Sequence, residues 1–150
     1  MRLVIQRVSR ASVSIDGNLH SQIGRGLMIL VGVAEGDTPA DVDWLVAKTA
    51  GMRIFPDENG VMNLSVKDVD GEVMAVSQFT LTASTKKGNR PSYIHAAGHD
   101  VAIPLYELFC EKISSATGKS AAKGVFGADM QVELINDGPV TIIIDSRLKE

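Results

Sequence analysis

The sequence predicts an α/β fold, a mostly antiparallel or mixed sheet with two main helices, and three observations carry that reading. Ala11, Val13 and Ile15 alternate with Ser12, Ser14 and Asp16, the period of a half-buried strand. Thr38-Pro39-Ala40-Asp41 opens a stretch in which Val42, Leu45, Val46 and Thr49 recur at helical spacing. A second helical pattern, with Ile103, Leu105, Leu108, Phe109 and Ile113 apolar, covers about 100 to 116.

Taken in order, Leu3 to Val8 is rich in β-branched residues and leads into the alternating stretch, which Asp16-Gly17 closes with a tight turn. Leu19 to Ile23 then returns antiparallel. Leu27 to Val33 has no polar face and reads as a fully buried strand. In the first helix Thr38 caps, Pro39 suits the first helical position, Asp41 complements the positive end of the dipole and Gly51 ends the run. Met52 to Phe55 resumes as a strand, Pro56 to Gly60 is turn chemistry, and Asp70-Gly71 turns the chain into a strand from Val73 to Leu81. From Thr82 to Gly98 periodicity is lost and Lys86, Lys87, Gly88, Asn89, Arg90 and Pro91 gather, as in a long surface loop; such loops often carry function. Pro104 is expected in the first turn of the second helix. A Gly-rich loop, Gly118 to Gly127, precedes two closing strands, Met130 to Ile135 and Val140 to Ile144, joined by Asn136-Asp137-Gly138-Pro139.

The 150 residues fit one domain, residues 1–150, with one site as the default. A net charge of −3 argues against a protein that coats long nucleic acid, because neutralising phosphates needs surplus Lys and Arg; a small basic patch stays open. The single cysteine, Cys110, can form no internal disulfide and no Cys-rich metal site, so a reducing, cytoplasmic setting is expected. Leu3 to Ile5 is too short for the core of a signal peptide, and the longest apolar run, Gly26 to Ala34, is far too short to span a bilayer. No membrane association is expected.

Familiar catalytic signatures are missing. Gly118-Lys119-Ser120 lacks the glycine a phosphate-binding loop needs five residues earlier, where Ile113 stands. Gly24-Arg25-Gly26 lacks a third glycine and leads into a strand, so it reads as a turn rather than a dinucleotide fingerprint. His95 and His99 stand four apart but have no third ligand at recognisable spacing, so no metal is expected. No serine sits in a nucleophile elbow.

Two segments need an explanation. In Ser77-Gln78-Phe79-Thr80-Leu81, Gln78 and Thr80 would project together from one face of a strand, as a solvated edge or as part of a site. In Asn136-Asp137-Gly138-Pro139-Val140-Thr141, a proline follows what would already be a hairpin turn; it removes a backbone donor and accepts a cis bond at low cost, as a rigid turn or as something more. With Ile5-Gln6-Arg7-Val8, Arg53-Ile54-Phe55, Met62-Asn63-Leu64, Gly88-Asn89-Arg90-Pro91-Ser92 and Phe126-Gly127-Ala128-Asp129-Met130, these segments run in order through nearly the whole chain, and together they resemble the D-aminoacyl-tRNA deacylase family.

That resemblance implies a compact three-layer α/β/β fold. It implies a homodimer with active sites at the subunit interface and an enzyme that hydrolyses the ester joining a D-amino acid to the terminal adenosine of tRNA, and also clears glycine from mischarged tRNA(Ala). Gly138-Pro139, held cis, would enter the neighbouring subunit's pocket and offer its carbonyls to the substrate's α-amino group, so that an L side chain meets main chain. Arg7 would hold that motif by hydrogen bonding. Ser77, Gln78, Phe79 and Thr80 would form the catalytic stretch, with the Phe79 and Thr80 N–H groups as oxyanion donors. Thr80 lacks an evident general base, so water, assisted by the ribose 2′-hydroxyl, is the expected nucleophile. Lys86, Lys87 and Arg90 would meet phosphates at the acceptor end, with Met130 or Phe79 near the adenine. No cofactor is implied.

Two other functions compete: a non-catalytic tRNA-binding or editing module, and a threonine-dependent esterase for small molecules. The chain runs from Met1 to just beyond its closing strand with no synthetase segment attached, from which a free-standing enzyme is expected.

Overall fold

The computed structural model describes residues 1–149; Glu150 lies outside them. The elements are β1 (Arg2–Ile15), β2 (Asn18–Ile23), β3 (Gly26–Gly32), α1 (Pro39–Gly51), β4 (Phe55–Pro56), β5 (Met62–Leu64), β6 (Glu72–Ser77), a 3₁₀ turn (Phe79–Thr82), α2 (His99–Thr117), β7 (Ala122–Lys123) and β8 (Gln131–Asp145). The main sheet is mixed, in the order β2-β1-β3-β6-β7, with β8 along the other edge of β1. β1 pairs antiparallel with β2, β3 and β8, whereas β3–β6 and β6–β7 are parallel. The α/β class with two helices is thus the fold that the sequence predicts.

Side-chain alternation divides the interior into two cores. Leu27, Ile29 and Val31 of β3 and Val73 and Ala75 of β6 face the side where α1 and α2 lie, against Leu45, Tyr106, Phe109 and Ile113. Met28, Met74 and Val76 point the other way and pack on Val8, Ala11 and Val13 of β1, with Val132 and Leu134 of β8 alongside. β1 belongs to both cores. Its Leu3 and Ile5 face the helices, and the irregular register between Gln6 and Arg10 turns its second half over the opposite face of the sheet. Helices, central strands and the curled-over portion of β1, β2 and β8 make three layers.

Local chemistry explains the boundaries. Asp41 accepts the Thr38 N–H at 2.8 Å and the Thr38 hydroxyl at 3.1 Å, fixing the start of α1. Gly26 sits where a Cβ would lie 1.8 Å from the Glu72 carbonyl oxygen, so only glycine lets β3 and β6 meet there. Gly118 ends α2 in the left-handed region, closing a helix where a phosphate-binding loop would open one.

Five expectations are corrected. The strand Met52 to Phe55 is reduced to Phe55–Pro56, paired with β5 in a small separate ribbon. The strand from Val73 stops at Ser77, because the chain turns at Phe79. Pro104 lies beyond the first turn, inside α2, where its missing N–H leaves the Asp100 carbonyl without a helical donor. Ala122–Lys123, expected as loop, pairs with β6. The two closing strands are one strand, β8, both of whose halves pair with β1.

Candidate active site

A cleft of about 480 Å³ opens where the parallel strands β3 and β6 end, the usual position for ligands in sheets of this kind. Val31, Val33 and Val76 form its floor, and Ser77, Gln78 and Phe79 one wall. Ala96, Ala97, His99, residues 126–128 and Met130 also line it.

The wall at Phe79 is built by a change of backbone geometry. Gln78 makes the last ladder bond, its N–H donating to the Val31 carbonyl at 2.8 Å, and the chain then enters the 3₁₀ turn. The turn fits because Gly32 lies beneath it: a Cβ there would stand 2.8 Å from Leu81 Cβ and 3.1 Å from the Gln78 carbonyl oxygen. Within the turn Leu81 N–H donates to Gln78 O at 3.3 Å, and Ala83 N–H to Thr80 O at 3.1 Å. The Phe79 and Thr80 N–H groups open the turn and have no acceptor among the described residues. Two adjacent backbone donors without acceptors are what an oxyanion would use.

Gln78 and Thr80 meet, but not as neighbours on a strand face. Gln78 Nε2 donates to Thr80 Oγ1 at 2.5 Å across the turn. Thr80 does not line the cleft, and among the described residues no imidazole, carboxylate or amine bonds its hydroxyl. The geometry provides no general base for a threonine nucleophile.

Gly138 and Pro139 lie elsewhere. Between the pairs Gln6–Thr141 and Val8–Asn136, β8 carries extra residues and bulges out of the sheet. Asn136 closes the bulge, its Oδ1 accepting the Val140 N–H at 3.0 Å and its Nδ2 donating to Thr141 Oγ1 at 2.9 Å. The Gly138–Pro139 peptide is cis, and Gly138 has φ +134°, a value side chains rarely adopt. Arg7, only 9% exposed, holds the base of the bulge: its Nε donates to Asp137 O at 3.1 Å and its Nη1 to Ile54 O at 2.6 Å. Asp137, Gly138 and Pro139 are exposed and line no part of this chain's own cleft.

Lys86, Lys87 and Arg90 lie on an exposed arm whose neck is closed by mutual bonds between Ser84 and Ser92, at 2.9 and 2.8 Å. None of the three makes an ion pair among the described residues, and none lines the cleft. Met130 does line it, folded against Gly124 so closely that a Cβ there would come within 2.4 Å of its sulfur.

Sequence reasoning missed part of the wall. His99, the first residue of α2, stands edge-on to Phe126, centroids 5.4 Å apart at 82°. The distance in sequence between a helix start and a Gly-rich loop gave no signal that they would converge. His95 lies in the loop before α2. Among the described residues no three His, Cys, Asp or Glu side chains gather as a metal site. Cys110 is buried, and burial is the main cause that pushes its thiol up to about 11, which makes it a poor nucleophile.

A family model described as D-Tyr-tRNA(Tyr) deacylase matches residues 4–145. Proteins named D-aminoacyl-tRNA deacylase from Parabacteroides distasonis and Porphyromonas gingivalis are each 61% identical over 150 residues, covering all of both chains. A solved structure named c-Myc DNA Unwinding Element Binding Protein superposes with a TM-score of 0.90 at 40% identity, over 97% of this chain and 98% of that one. Another, described as a probable eukaryotic D-amino acid tRNA deacylase, shares the fold with a TM-score of 0.80 at 17% identity, over 95% and 97%.

Proposed function

This chain belongs to the D-Tyr-tRNA(Tyr) deacylase family, and from that premise we propose that it hydrolyses the ester of D-aminoacyl-tRNA, releasing a free D-amino acid and tRNA. One observation supports the chemistry: Phe79 lines the cleft, its backbone N–H and that of the adjacent Thr80 have no acceptor among the described residues, and none of those residues bonds the Thr80 hydroxyl as a general base. Water, positioned with help from the 2′-hydroxyl of the terminal ribose, adds to the ester carbonyl. The oxyanion is stabilised by the two donors, and the bond to the ribose 3′-oxygen breaks, leaving the 3′-hydroxyl on the tRNA. Thr80 orients Gln78 and shapes the turn.

The active unit in this reading is a homodimer. The exposed bulge at Gly138-Pro139 does not reach its own chain's cleft, so it serves the partner's, where its carbonyls accept from the substrate's α-amino group and its main chain leaves no room for an L side chain. Glycine, with no side chain to exclude, passes the filter, which extends the activity to glycyl-tRNA mischarged on tRNA(Ala). Arg7 holds the bulge through Asp137. The exposed cations Lys86, Lys87 and Arg90 meet phosphates of the acceptor end, and Met130 lies beside the adenine. A cytoplasmic setting and one domain over residues 1–150 complete the reading. No helix among the described residues is long and apolar enough to cross a membrane.

The test is incubation with matched D- and L-aminoacyl-tRNA, and with D-substrate ending in 2′-deoxyadenosine. The reading predicts hydrolysis of the D-ester, sparing of the L-ester and a large loss on the deoxy substrate. Equal hydrolysis of both hands removes the filter; full activity on the deoxy substrate removes ribose assistance. Turnover of simple esters without tRNA, abolished by Thr80→Ala, would instead establish a threonine esterase, and binding without hydrolysis a tRNA-binding module.

A further inference from the structure

Two arginines of β1 reach across to β8, Arg7 with its side chain buried and Arg2 with its side chain half-exposed. Arg7 grips β8 at Asp137 and reaches a carbonyl of another segment, Ile54 O. Arg2 grips β8 at Asp145, with Nε at 3.1 Å and Nη2 at 3.0 Å from the same carboxylate oxygen, and its Nη1 donates to the Leu81 carbonyl at 2.9 Å. Leu81 is inside the 3₁₀ turn, two residues from Phe79. Its carbonyl has no helical donor ahead of it, because the turn ends at Thr82, so the guanidinium supplies one. Beneath the same residue lies Gly32, whose missing side chain lets Leu81 pack against β3.

We propose that Arg2, braced by Asp145, is a positioning residue of the hydrolysis: by holding Leu81 O it fixes the pitch of the turn and so the direction in which the Phe79 and Thr80 N–H groups point. This rests on the reading of the cleft as a deacylase site. Arg2 does not line the cleft. A rotation of the turn moves both donors together, and donors serve a developing oxyanion only within hydrogen-bond reach of it, so the effect falls on the transition state rather than on binding. The carboxylate matters because an arginine held along one edge presents its remaining N–H in a fixed direction. It follows that β8 serves two sites by way of β1, its bulge through Arg7 and its carboxyl end through Arg2.

The test uses the full-length protein with Arg2→Met, Arg2→Lys and Asp145→Asn, each checked for an unchanged melting transition. Measurements are kcat and KM on D-aminoacyl-tRNA, the ratio of D to L hydrolysis, and hydrogen exchange of the Leu81 and Ala83 amides. Arg2→Met is expected to lower kcat roughly tenfold or more with KM within about twofold, to leave the D-to-L ratio unchanged, and to speed exchange at both amides. Arg2→Lys, which can still donate to Leu81 O, recovers part of kcat; Asp145→Asn falls between. Wild-type kcat in Arg2→Met, or a loss confined to KM, overturns the proposal. Should Arg2→Met not fold, Asp145→Asn and Arg2→Lys decide it, since wild-type kcat and unaltered exchange in both are equally contrary. Wild-type protein unable to deacylate D-aminoacyl-tRNA would sink the reading of the cleft, while the exchange data would still report whether Arg2 holds the turn.

Discussion

At Thr80 the hydroxyl oxygen accepts from Gln78 Nε2, and among the described residues no base bonds it to take its proton. Thr80→Ala is therefore expected to retain deacylation within about tenfold of wild type, because the backbone donors survive the change; single-turnover hydrolysis of D-aminoacyl-tRNA measures it. Gly138 stands at the other extreme. Its φ of +134° and the 2.8 Å that would separate an added Cβ from the Val140 nitrogen mean that Gly138→Ala must move the bulge. A loss of roughly a hundredfold or more in kcat is expected, with a smaller effect on melting temperature, because Asp137, Gly138 and Pro139 are exposed and only Val140 of the bulge packs against the core. At this scale the sequence was informative for Ser77 to Thr80 and for Asn136 to Thr141, whose residue types are odd for an ordinary strand or hairpin. It was silent on Arg2, an arginine near the chain start whose partners, Leu81 and Asp145, are far along the chain.

Elements with strong local signals form where their residues predict. The cap and helical spacing at Thr38 to Gly51, and the alternation through Ile15, needed nothing from the rest of the chain. The failures share one cause, a distant segment overruling a local preference. Gln78 to Leu81 has the alternation of a strand, yet the strand ends at Ser77 because Gly32 offers Leu81 a seat that no side chain fills. Asn136-Asp137-Gly138 has the composition of a hairpin turn, yet β1 is long enough to pair with the residues on both sides of it, so the turn becomes a bulge within one strand. Ala122–Lys123 has no strand pattern and pairs only because the edge of β6 is available. The contact between β3 and β6 at Gly26 tests this dependence directly. Gly26→Ala would force apart backbones already in contact, and chemical denaturation should show a loss of about 3 kcal/mol.

For the molecule as a whole, burial of Cys110 ties stability to alkaline pH. Its thiol is raised to about 11 in the fold, so between the ordinary thiol range and that value the unfolded chain gives up a proton that the native one keeps. The sign is that stability is intact below pH ~9 and falls as pH rises toward ~11. Burial also raises the Tyr106 hydroxyl, which donates to Ala75 O at 2.8 Å, and this adds to the alkaline loss. Denaturation curves recorded across that range should show the decline, and Cys110→Ala should make it shallower. The larger question is whether two copies share their parts. The proposal that substrate handedness is read by main chain from the partner subunit is tested most directly by a mixed dimer, one subunit carrying Gly138→Ala and the other Ala128→Trp, which fills the cleft. Supply across the interface leaves one intact site, an unblocked cleft beside a native bulge, so the mixed dimer should regain D-specific hydrolysis that neither variant homodimer has. A mixed dimer as inactive as its parents would contradict the account.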